Sequence, residues 1–464
     1  MRDSKTGNFK IYNTLTRKKE AFESIRTGLV GMYVCGVTPY SEAHLGHARC
    51  YVVFDTLRRY LEFLGYEVTY VQNITDIDDK IIAKSMETGD TPSDIASRYF
   101  SSFMGEMEKL NVKPADIYPR VTENIDKIIS FIKALIKKGS AYEISGSVYF
   151  RVSSLDGYGD FSGRGEGEKV IGEESKGLRA KKDPRDFALW KQDPEYGWDS
   201  PWGQGRPGWH IECSAMSKDI LGDFFDIHGG GLDLLFPHHE NEISQSTALT
   251  GRVPARYWVH NGMVTLRGDK MAKSTGNLFL LNEALKEVSP GALRIFLLSS
   301  SYRQSLDYDP EALKGTEKAF RRLVELKEEL IRAGKFYEQG FCDWNDPLVE
   351  ALSDDLNTAR TLGRIFTAAG PLLEKIYGGI HTEDDAALAR RIIFVTEEVL
   401  GIELNTPSAG MDNSGIEELI SRREKLRNQR RFGEADVIRD KLLEKGIEIK
   451  DTPSGPRWRK VSPG

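Results

Sequence analysis

The spacing of hydrophobic residues near the start of the chain predicts a strand, a helix and a second strand. The apolar run from Gly31 to Cys35 is typical of a short buried strand. From Ala48 to Leu64, apolar residues recur three or four positions apart, which predicts a helix that ends at Gly65. A β-branched and aromatic run at 66–73 predicts the second strand. This unit is typical of the opening of a Rossmann-like parallel sheet.

Later changes of pattern predict the domain organisation. After the first sheet unit, the α/β rhythm is broken by a helical run at 125–138, a strand-like run at 147–152 and a charged, Gly-rich stretch at 157–183. The predicted units are the first half of a Rossmann-like sheet domain at 1–112, a connective insertion at 113–205, the second half of the sheet domain at 206–285, a connector at 286–314, a helical bundle at 315–404, a linker at 405–415 and a small basic domain at 416–464. The predicted fold class is α/β with an inserted α+β segment, an α-helical bundle and this C-terminal domain.

Composition narrows the class of protein. The chain has 464 residues, of which 39% are hydrophobic and 29% charged, and this excludes disordered and collagen-like proteins. No apolar run reaches the length of a membrane span or a signal-peptide core, so we expect a cytoplasmic protein with no membrane partner. Four cysteines are too few for a disulfide framework, so each is interpreted as a metal ligand or a buried side chain, with burial expected for Cys50 and Cys342.

Charge is distributed unevenly along the chain. The formal net charge is -6, yet residues 421–460 contain 13 Lys and Arg against 7 Asp and Glu. A basic C-terminal unit on an acidic body indicates a nucleic-acid partner. A solvated helix with paired charges explains the same composition equally well.

Three short clusters supply the side chains of a candidate zinc site. Cys35, Cys213 and the pair His238 and Glu242 offer two thiolates, one imidazole and one carboxylate. A histidine and a glutamate four residues apart share one face of a helix. His239, three residues before Glu242, also fits this geometry. A closed structural zinc site is the alternative interpretation, although a carboxylate ligand favours an open one.

Two further motifs have the chemistry of phosphate binding. His44 and His47 lie three residues apart at the start of the predicted helix, next to free backbone N–H groups where the helix dipole favours an anion. Lys270 and Lys273 lie in a polar loop that runs to Asn277, and they suit the charge of a departing pyrophosphate. Taken singly, each motif has an ordinary alternative: capping or surface histidines for the first and a basic surface loop for the second.

In this order, the two motifs resemble the signature motifs of class I aminoacyl-tRNA synthetases. Within that class the chain is similar to cysteinyl-tRNA synthetases from about residue 9 to residue 460. The strings that carry the similarity are Tyr33-Val34-Cys35-Gly36, Asn73-Ile74-Thr75-Asp76-Ile77-Asp78-Asp79-Lys80, Asp186-Phe187-Ala188-Leu189-Trp190-Lys191, Gly208-Trp209-His210-Ile211-Glu212-Cys213-Ser214 and Asp226-Ile227-His228-Gly229-Gly230-Gly231. The chain departs from the family at Pro39, which lies two residues later than usual, and at Ala272 and Thr275 of the lysine loop.

The resemblance implies ATP-dependent ligation of L-cysteine to tRNA(Cys) through a cysteinyl-adenylate, by a monomer that uses one Zn²⁺ and the Mg²⁺ that accompanies ATP. It also implies that the helical bundle binds tRNA, that the connector contacts its stem and that the C-terminal domain binds the anticodon. The implied site residues are Cys35, Cys213, His238 and Glu242 on zinc; His44, His47, Lys270 and Lys273 in catalysis; Lys273, Gly229, Gly230 and Asp233 on ATP, Asp233 through a ribose hydroxyl or the substrate ammonium; and Thr38 and Trp209 on the amino acid.

Zinc would explain how such an enzyme rejects serine. Shape alone separates substrates that differ by one small group by only about 1 to 3 kcal/mol. Zinc favours a thiolate over a hydroxyl, which stays protonated, and by the resemblance the substrate sulfur joins the four protein ligands. We therefore expect no editing domain.

Two rival interpretations remain open at the level of sequence. A cysteine:glucosaminyl-inositol ligase resembles this family and shares the zinc and both motifs. Against it, the C-terminal half resembles the tRNA-binding half of the synthetases at Ala292-Leu293-Arg294, at Asp354 to Thr358 and from Arg422 to Lys460, where Trp458 is a candidate for stacking on an unpaired base. The other rival is a non-catalytic zinc protein that binds RNA, although both motif histidines and both motif lysines are present.

Overall fold

The computed structural model describes residues 9–164, 181–266, 268–270, 279–333, 346–379, 381–405, 413–452 and 455–460. The strands are β1 Lys10–Asn13, β2 Lys18–Ala21, β3 Leu29–Val37, β4 Glu67–Ile74, β5 Ala141–Ile144, β6 Ser147–Phe150, β7 Phe187–Gln192, β8 Gly205–Pro207, β9 Phe225–Gly231, β10 Ala255–Asn261, β11 Val264–Leu266, β12 Asp269–Lys270, β13 Leu306–Tyr308, β14 Ile447–Thr452 and β15 Gly455–Lys460. The helices are α1 Leu45–Phe63, α2 Asp79–Thr88, α3 Pro92–Lys109, α4 Ile125–Lys137, α5 Trp209–Leu221, α6 Glu240–Thr250, α7 Leu281–Glu287, α8 Pro290–Leu298, α9 Pro310–Arg332, α10 Pro347–Glu350, α11 Thr358–Gly378, α12 Glu383–Phe394, α13 Asn413–Asn428 and α14 Phe432–Glu444. Cys342, Lys273 and most of the predicted linker lie outside the described residues.

A four-stranded parallel sheet forms the centre of the catalytic region, with the strand order β10, β9, β3, β4. The predicted strand, helix and strand are therefore confirmed as β3, α1 and β4. The antiparallel sheet β5-β6-β7-β8 falls in the sequence between β3 and its neighbour β9, as expected of an inserted α+β segment. This order confirms the predicted fold class, while the domain boundaries stay a prediction.

Helix α1 packs across the sheet along almost its whole length. Its buried apolar residues include Val52, Val53 and Leu57, which have the spacing that predicted the helix. Gly229 of β9 has no side chain where Phe54 of α1 lies, and a Cβ there would come within 2.2 Å of the phenyl ring. The helix begins three residues earlier than predicted because His44 caps it.

The connections of the central sheet diverge between β3 and β9. From β3 the chain runs through α1 to β4 on one side, whereas from β9 it runs through α6 to β10 on the other. Ligands of open parallel sheets bind where the connections diverge in this way, at the carboxyl ends of the strands. That edge here is formed by Cys35 and Gly229, and it holds the candidate site.

The C-terminal unit, α13, α14 and the hairpin β14–β15, has an apolar core of its own. Trp458 belongs to that core and is only 9% exposed. The guanidinium of Arg332, at the end of α9, lies 4.8 Å from the centre of the Trp458 ring and donates to the Trp458 carbonyl. The hypothesis that this ring stacks on an unpaired base is therefore wrong, because protein atoms already cover it.

None of the described helices has the combination of length and apolarity that crossing a membrane requires.

Candidate metal centre and nucleotide site

The four predicted metal ligands converge from separate elements. Cys35 lies near the end of β3, Cys213 on the second turn of α5, His238 in the turn before α6 and Glu242 in the first turn of α6. All four side chains are buried. The four-residue spacing brings the His238 Nε2 to 3.0 Å from the Glu242 Oε1.

The distances between the donor atoms fit a tetrahedral ion. One donor atom from each of the four side chains lies within 4.8 Å of every other. The two sulfur atoms are 3.9 Å apart, and two thiolates bound tetrahedrally at zinc bond lengths would be about 3.8 Å apart. The Cys35 Sγ is 3.6 Å from the Glu242 Oε1. The residues present therefore fit a zinc ion without rearrangement.

A second group of donors overlaps the first. It consists of Cys35, His228, His239 and Glu242, and among the described residues these two groups are the ones with metal-binding geometry. His239 was an alternative imidazole in the sequence, but His228 was not considered as a ligand. Only the first group contains both thiolates, and soft thiolate ligands favour zinc. The first group is therefore the better zinc site.

Electrostatics in this pocket favour a cation. Burial alone would raise the pKa of Glu242, yet His228 and His238 outweigh it and lower that pKa to about 2. Burial alone would lower the pKa of His238, but Glu242 and Cys213 raise it to about 10. The pKa of Cys213 falls to about 6, since Cys35 and His238 outweigh the effect of burial. A buried carboxylate and thiolate thus face one imidazolium, and a metal ion would supply the positive charge that is still lacking.

Other imidazoles surround the donor groups. The Nδ1 of His238 is 3.1 Å from the Nδ1 of His210, and the Nδ1 of His239 is 2.8 Å from the Nε2 of His260. Such outer contacts fix which ring nitrogen faces a metal. The sequence analysis missed His260, although it lies at the carboxyl end of β10, the edge where ligands of parallel sheets bind.

The two predicted amino-acid contacts lie at the rim of the pocket. The ring of Trp209 lies 4.4 Å from the ring of His238, so it is placed as a wall. Thr38 follows directly after β3 and is half-buried. Thr75 was not singled out, but its hydroxyl donates to the buried carboxylate of Glu212 at 3.0 Å, next to Cys213. Contacts of these residues with a substrate stay predictions.

The histidine motif caps its own helix. The Nδ1 of His44 accepts from the backbone N–H groups of Gly46 at 3.1 Å and His47 at 3.4 Å, while the Nδ1 of His47 accepts from the His44 N–H at 3.4 Å. The expectation of free N–H groups is therefore wrong for these donors. Because each Nδ1 accepts a hydrogen bond, the ring proton lies on Nε2.

Burial keeps both rings neutral. It lowers the pKa of His44 to about 4, with a smaller opposing effect of Asp233, and lowers the pKa of His47 well below its usual value. The rings are stacked, with their centres 3.8 Å apart. The motif therefore offers two neutral Nε2–H donors side by side, which suits the oxygens of a phosphate chain better than a cationic role.

The glycines of β9 have a packing explanation. Gly229 accommodates Phe54, and a Cβ on Gly230 would lie 2.9 Å from the Leu234 side chain. Asp233 is exposed on the turn after β9, near enough to His44 to affect its pKa. The roles of these residues in ATP binding stay predictions.

The residues on either side of the lysine loop are described, and those that follow it contact the histidine motif. The backbone of Lys270 is paired with Thr265 in β12, and Lys273 lies outside the described residues. After the loop, the Leu281 N–H donates to the Ala43 carbonyl at 2.9 Å, and the Phe279 carbonyl accepts from Leu45 at 3.2 Å. The described segment 279–281, which follows the lysine loop, therefore lies beside the histidine motif.

Part of the basic character of the C-terminal unit is paired internally. Arg423 is fully buried against Asp451, and Arg431 forms an ion pair with Glu434. Arg422 and Lys445 lie outside these pairs and are exposed. The internal ion pairs fit the interpretation as a helix with paired charges, while nucleic-acid binding by the exposed residues stays a prediction.

Comparisons of sequence identify one family, and a comparison of structure identifies the fold. Residues 21–318 match the family model of the tRNA synthetases class I (C) catalytic domain. A cysteine--tRNA ligase of Heliobacterium modesticaldum is 45% identical over 98% of this chain and all of its own length, and one of Thermococcus onnurineus is 44% identical over 98% and 99%. The fold is similar to Mycobacterium tuberculosis methionyl-tRNA synthetase in complex with methionyl-adenylate, with a TM-score of 0.58 and 17% identity over 81% of this chain and 90% of that one.

Proposed function

The chain belongs to the cysteine--tRNA ligase family of class I aminoacyl-tRNA synthetases, and from this premise we propose that it ligates L-cysteine to tRNA(Cys) with ATP, through a cysteinyl-adenylate, and selects cysteine through a zinc ion. The observation that carries the proposal is the buried group Cys35, Cys213, His238 and Glu242, whose donor atoms lie within 4.8 Å of one another.

The donor set favours selection by a metal over selection by shape. Zinc held by these residues would accept the substrate sulfur as a thiolate, whereas the hydroxyl of serine is a poor ligand. Glu242 supports an open site, because closed structural sites consist mainly of cysteine and histidine. Trp209 would wall the pocket and exclude water from it.

Activation of cysteine needs no protein base. The substrate carboxylate is already an anion, so it attacks the α-phosphorus of ATP while pyrophosphate departs. The Nε2–H groups of His44 and His47 would donate to the phosphate oxygens, and Lys270 and Lys273 would balance the charge on the leaving group. Magnesium would arrive with ATP.

Transfer to tRNA completes the proposed reaction. The terminal ribose 2′-hydroxyl of the tRNA attacks the carbonyl of the adenylate, and AMP leaves. Exposed basic residues of the C-terminal unit, such as Arg422 and Lys445, support RNA binding, which should weaken as salt rises.

Cysteine-dependent ATP–pyrophosphate exchange tests the first step, and aminoacylation of total tRNA tests the second. We expect exchange with cysteine, none above background with serine, and cysteine on tRNA(Cys). Exchange without tRNA charging, together with transfer of cysteine to an amino sugar, would favour the glucosaminyl-inositol ligase. Absence of exchange in zinc-loaded protein would contradict the proposal and leave the non-catalytic RNA-binding interpretation.

A further inference from the structure

Arg49, on the second turn of α1, is completely buried and has no carboxylate partner among the described residues. Among the described residues, its guanidinium donates to neutral oxygens only. These are the backbone carbonyls of Met263 at 3.3 Å, Ser301 at 3.1 Å and Gln304 at 2.6 Å, and the hydroxyl of Ser300 at 3.2 Å.

Such burial is costly for a cation. Burial lowers the pKa of Arg49 to about 10, and no neighbouring charge opposes this effect. Taking a charge out of water without a counter-charge is energetically unfavourable. Two other arginines of the same helix differ, because Arg58 pairs with Glu62 and Asp116, and Arg59 pairs with Asp55.

The acceptors of Arg49 lie where the chain leaves the central sheet. Met263 lies between β10 and β11, directly before β11. Strand β11 pairs with β12, the strand that ends at Lys270. The turn that contains Gln304 packs on the same place, since a Cβ on Gly262 would lie 2.3 Å from the Gln304 carbonyl oxygen. The Met263 carbonyl also accepts from the Leu306 N–H at 2.9 Å. We call the segment from Met263 to Lys270, which leads into the lysine loop, the upstream stem. Arg49 thus joins α1 to this upstream stem.

The segment from Phe279 to Leu281, which leaves the lysine loop and is called the downstream stem here, returns to the start of the same helix. The hydrogen bonds of Phe279 and Leu281 with Leu45 and Ala43 hold it beside His44. Both stems are therefore attached to the first two turns of α1, upstream through the Arg49 side chain and downstream through the backbone.

We propose that Arg49 is a positioning residue for pyrophosphate departure: its hydrogen bonds hold the stem that carries Lys270 at a fixed distance from His44 and His47. The inference rests on the proposed function and adds to it a residue that touches no substrate. It explains why Arg49 is buried with no carboxylate partner in the part of the chain that the structure describes, since backbone carbonyls are the groups that it holds. A guanidinium reaches several acceptors at once, which a lysine ammonium cannot do with the same geometry.

The test compares Arg49→Met and Arg49→Lys with a matched control, Arg58→Met, in the full-length zinc-loaded protein. Misplacement by about 1 Å can reduce a rate about 100-fold, so we expect kcat of cysteine-dependent exchange to fall about 100-fold in Arg49→Met. In Arg49→Lys it should fall at least about tenfold, because the charge stays but the fork of donors is lost. The KM for cysteine and the zinc content should stay at wild-type values, and Arg58→Met should keep wild-type kcat.

Wild-type kcat in Arg49→Lys would overturn the proposal, because the charge alone would then suffice. A change confined to the KM for cysteine, or an equal fall of kcat in Arg58→Met, would also overturn it. If Arg49→Met does not fold, which circular dichroism will show, Arg49→Lys decides the question alone. Absence of exchange in the wild-type protein would instead contradict the proposed function.

Discussion

Two buried polar clusters of this protein differ in how completely they satisfy themselves. In the ion-pair cluster, Asp55 on α1 accepts from Arg59 of the same helix and from Arg294 of α8. The remaining donors of Arg294 reach backbone carbonyls, including those of Leu110 at 2.8 Å and Leu400 at 2.7 Å. Every charge there has a partner of opposite sign or a carbonyl dipole, so the cluster needs no ligand.

The donor cluster consists of the four candidate metal ligands at the edge of the sheet, Cys35, Cys213, His238 and Glu242, and it does not satisfy itself in this way. Its thiols and carboxylate supply mostly acceptors, and burial raises the pKa of Cys35 well above its usual value, with Cys213 and Glu242 adding to the effect. Because both clusters are buried and only one lacks positive charge, burial by itself does not identify a site. A closed cluster joins segments of the chain, whereas a cluster that lacks positive charge is built for a cation.

Breaking the closed cluster should give the largest loss of stability. Asp55→Asn leaves Arg59 and Arg294 buried without a counter-charge, so the free energy of unfolding should fall by about 3 to 5 kcal/mol. Denaturant unfolding measures it. The matched control is Asp354→Asn, whose carboxylate is 57% exposed and pairs with Lys19, and it should cost less than about 1 kcal/mol. Equal losses in the two variants would show that the buried ion-pair cluster contributes no more to the free energy of unfolding than an exposed ion pair does.

Opening the donor cluster should instead remove the metal. Zinc sites with four protein ligands bind with about 10 to 16 kcal/mol, so loss of the Cys213 thiolate in Cys213→Ala should cost about 3 kcal/mol, roughly a hundredfold in affinity. Zinc content after equilibration with a chelator measures the effect, and exchange activity should fall with it. Cys50→Ala, which removes another buried thiol, should keep both.

The same variant distinguishes the two donor groups. The alternative group, Cys35, His228, His239 and Glu242, does not contain Cys213. Wild-type zinc affinity in Cys213→Ala, together with loss of zinc in His239→Asn, would therefore assign the metal to that group and contradict the ligand set proposed above.

The two clusters also differ in how far the sequence predicted them. The donor cluster was accessible because cysteines, and a histidine and glutamate four apart, are recognisable zinc ligands without a structure. The choice of His238 over His239 came mainly from the family resemblance. The ion-pair cluster was not, because nothing local tells which of many carboxylates meets Arg294. His228 and His260 were missed for a related reason, since they converge only through the pairing of β9 with β10.

Local spacing predicted the elements better than their ends and surroundings. The helix α1 followed from its apolar spacing, but its start did not, because capping by a histidine ring is unusual. Trp458 was misjudged because its cover, Arg332, belongs to another part of the chain. Long-range contacts of this kind leave no mark on the spacing of nearby residues.

Acid should weaken the closed cluster by a calculable route. Burial would raise the pKa of Asp55, but Arg294 and Arg59 outweigh it, so the folded-state pKa lies below its usual value of 3.8. A lowered carboxyl pKa gives stability that is present above the unfolded pKa and is lost as pH falls through the folded one. The stability gap between the wild type and Asp55→Asn should thus be constant from about pH 7 to 5 and shrink below about pH 4. A gap that stays constant down to pH 2 would show that the charge of Asp55 does not matter.

The smallest expected effect concerns His44 and His47, where among the described residues only one nitrogen of each ring has a hydrogen-bond partner. In this respect they are intermediate between the closed cluster and the donor cluster. Burial lowers the pKa of His44 to about 4, so its ring should remain neutral at every pH above about 5. Ring ¹⁵N chemical shifts of the free protein, with the His44 signal identified by its absence in His44→Asn, should show no titration between about pH 5.5 and 8 and a proton on Nε2. An inflection near the usual value of 6.5 would mean that the ring becomes cationic in this range. The motif would then attract phosphate by its charge. The neutral rings with a proton on Nε2, which the hydrogen bonds at the start of α1 imply, would not be the form that binds.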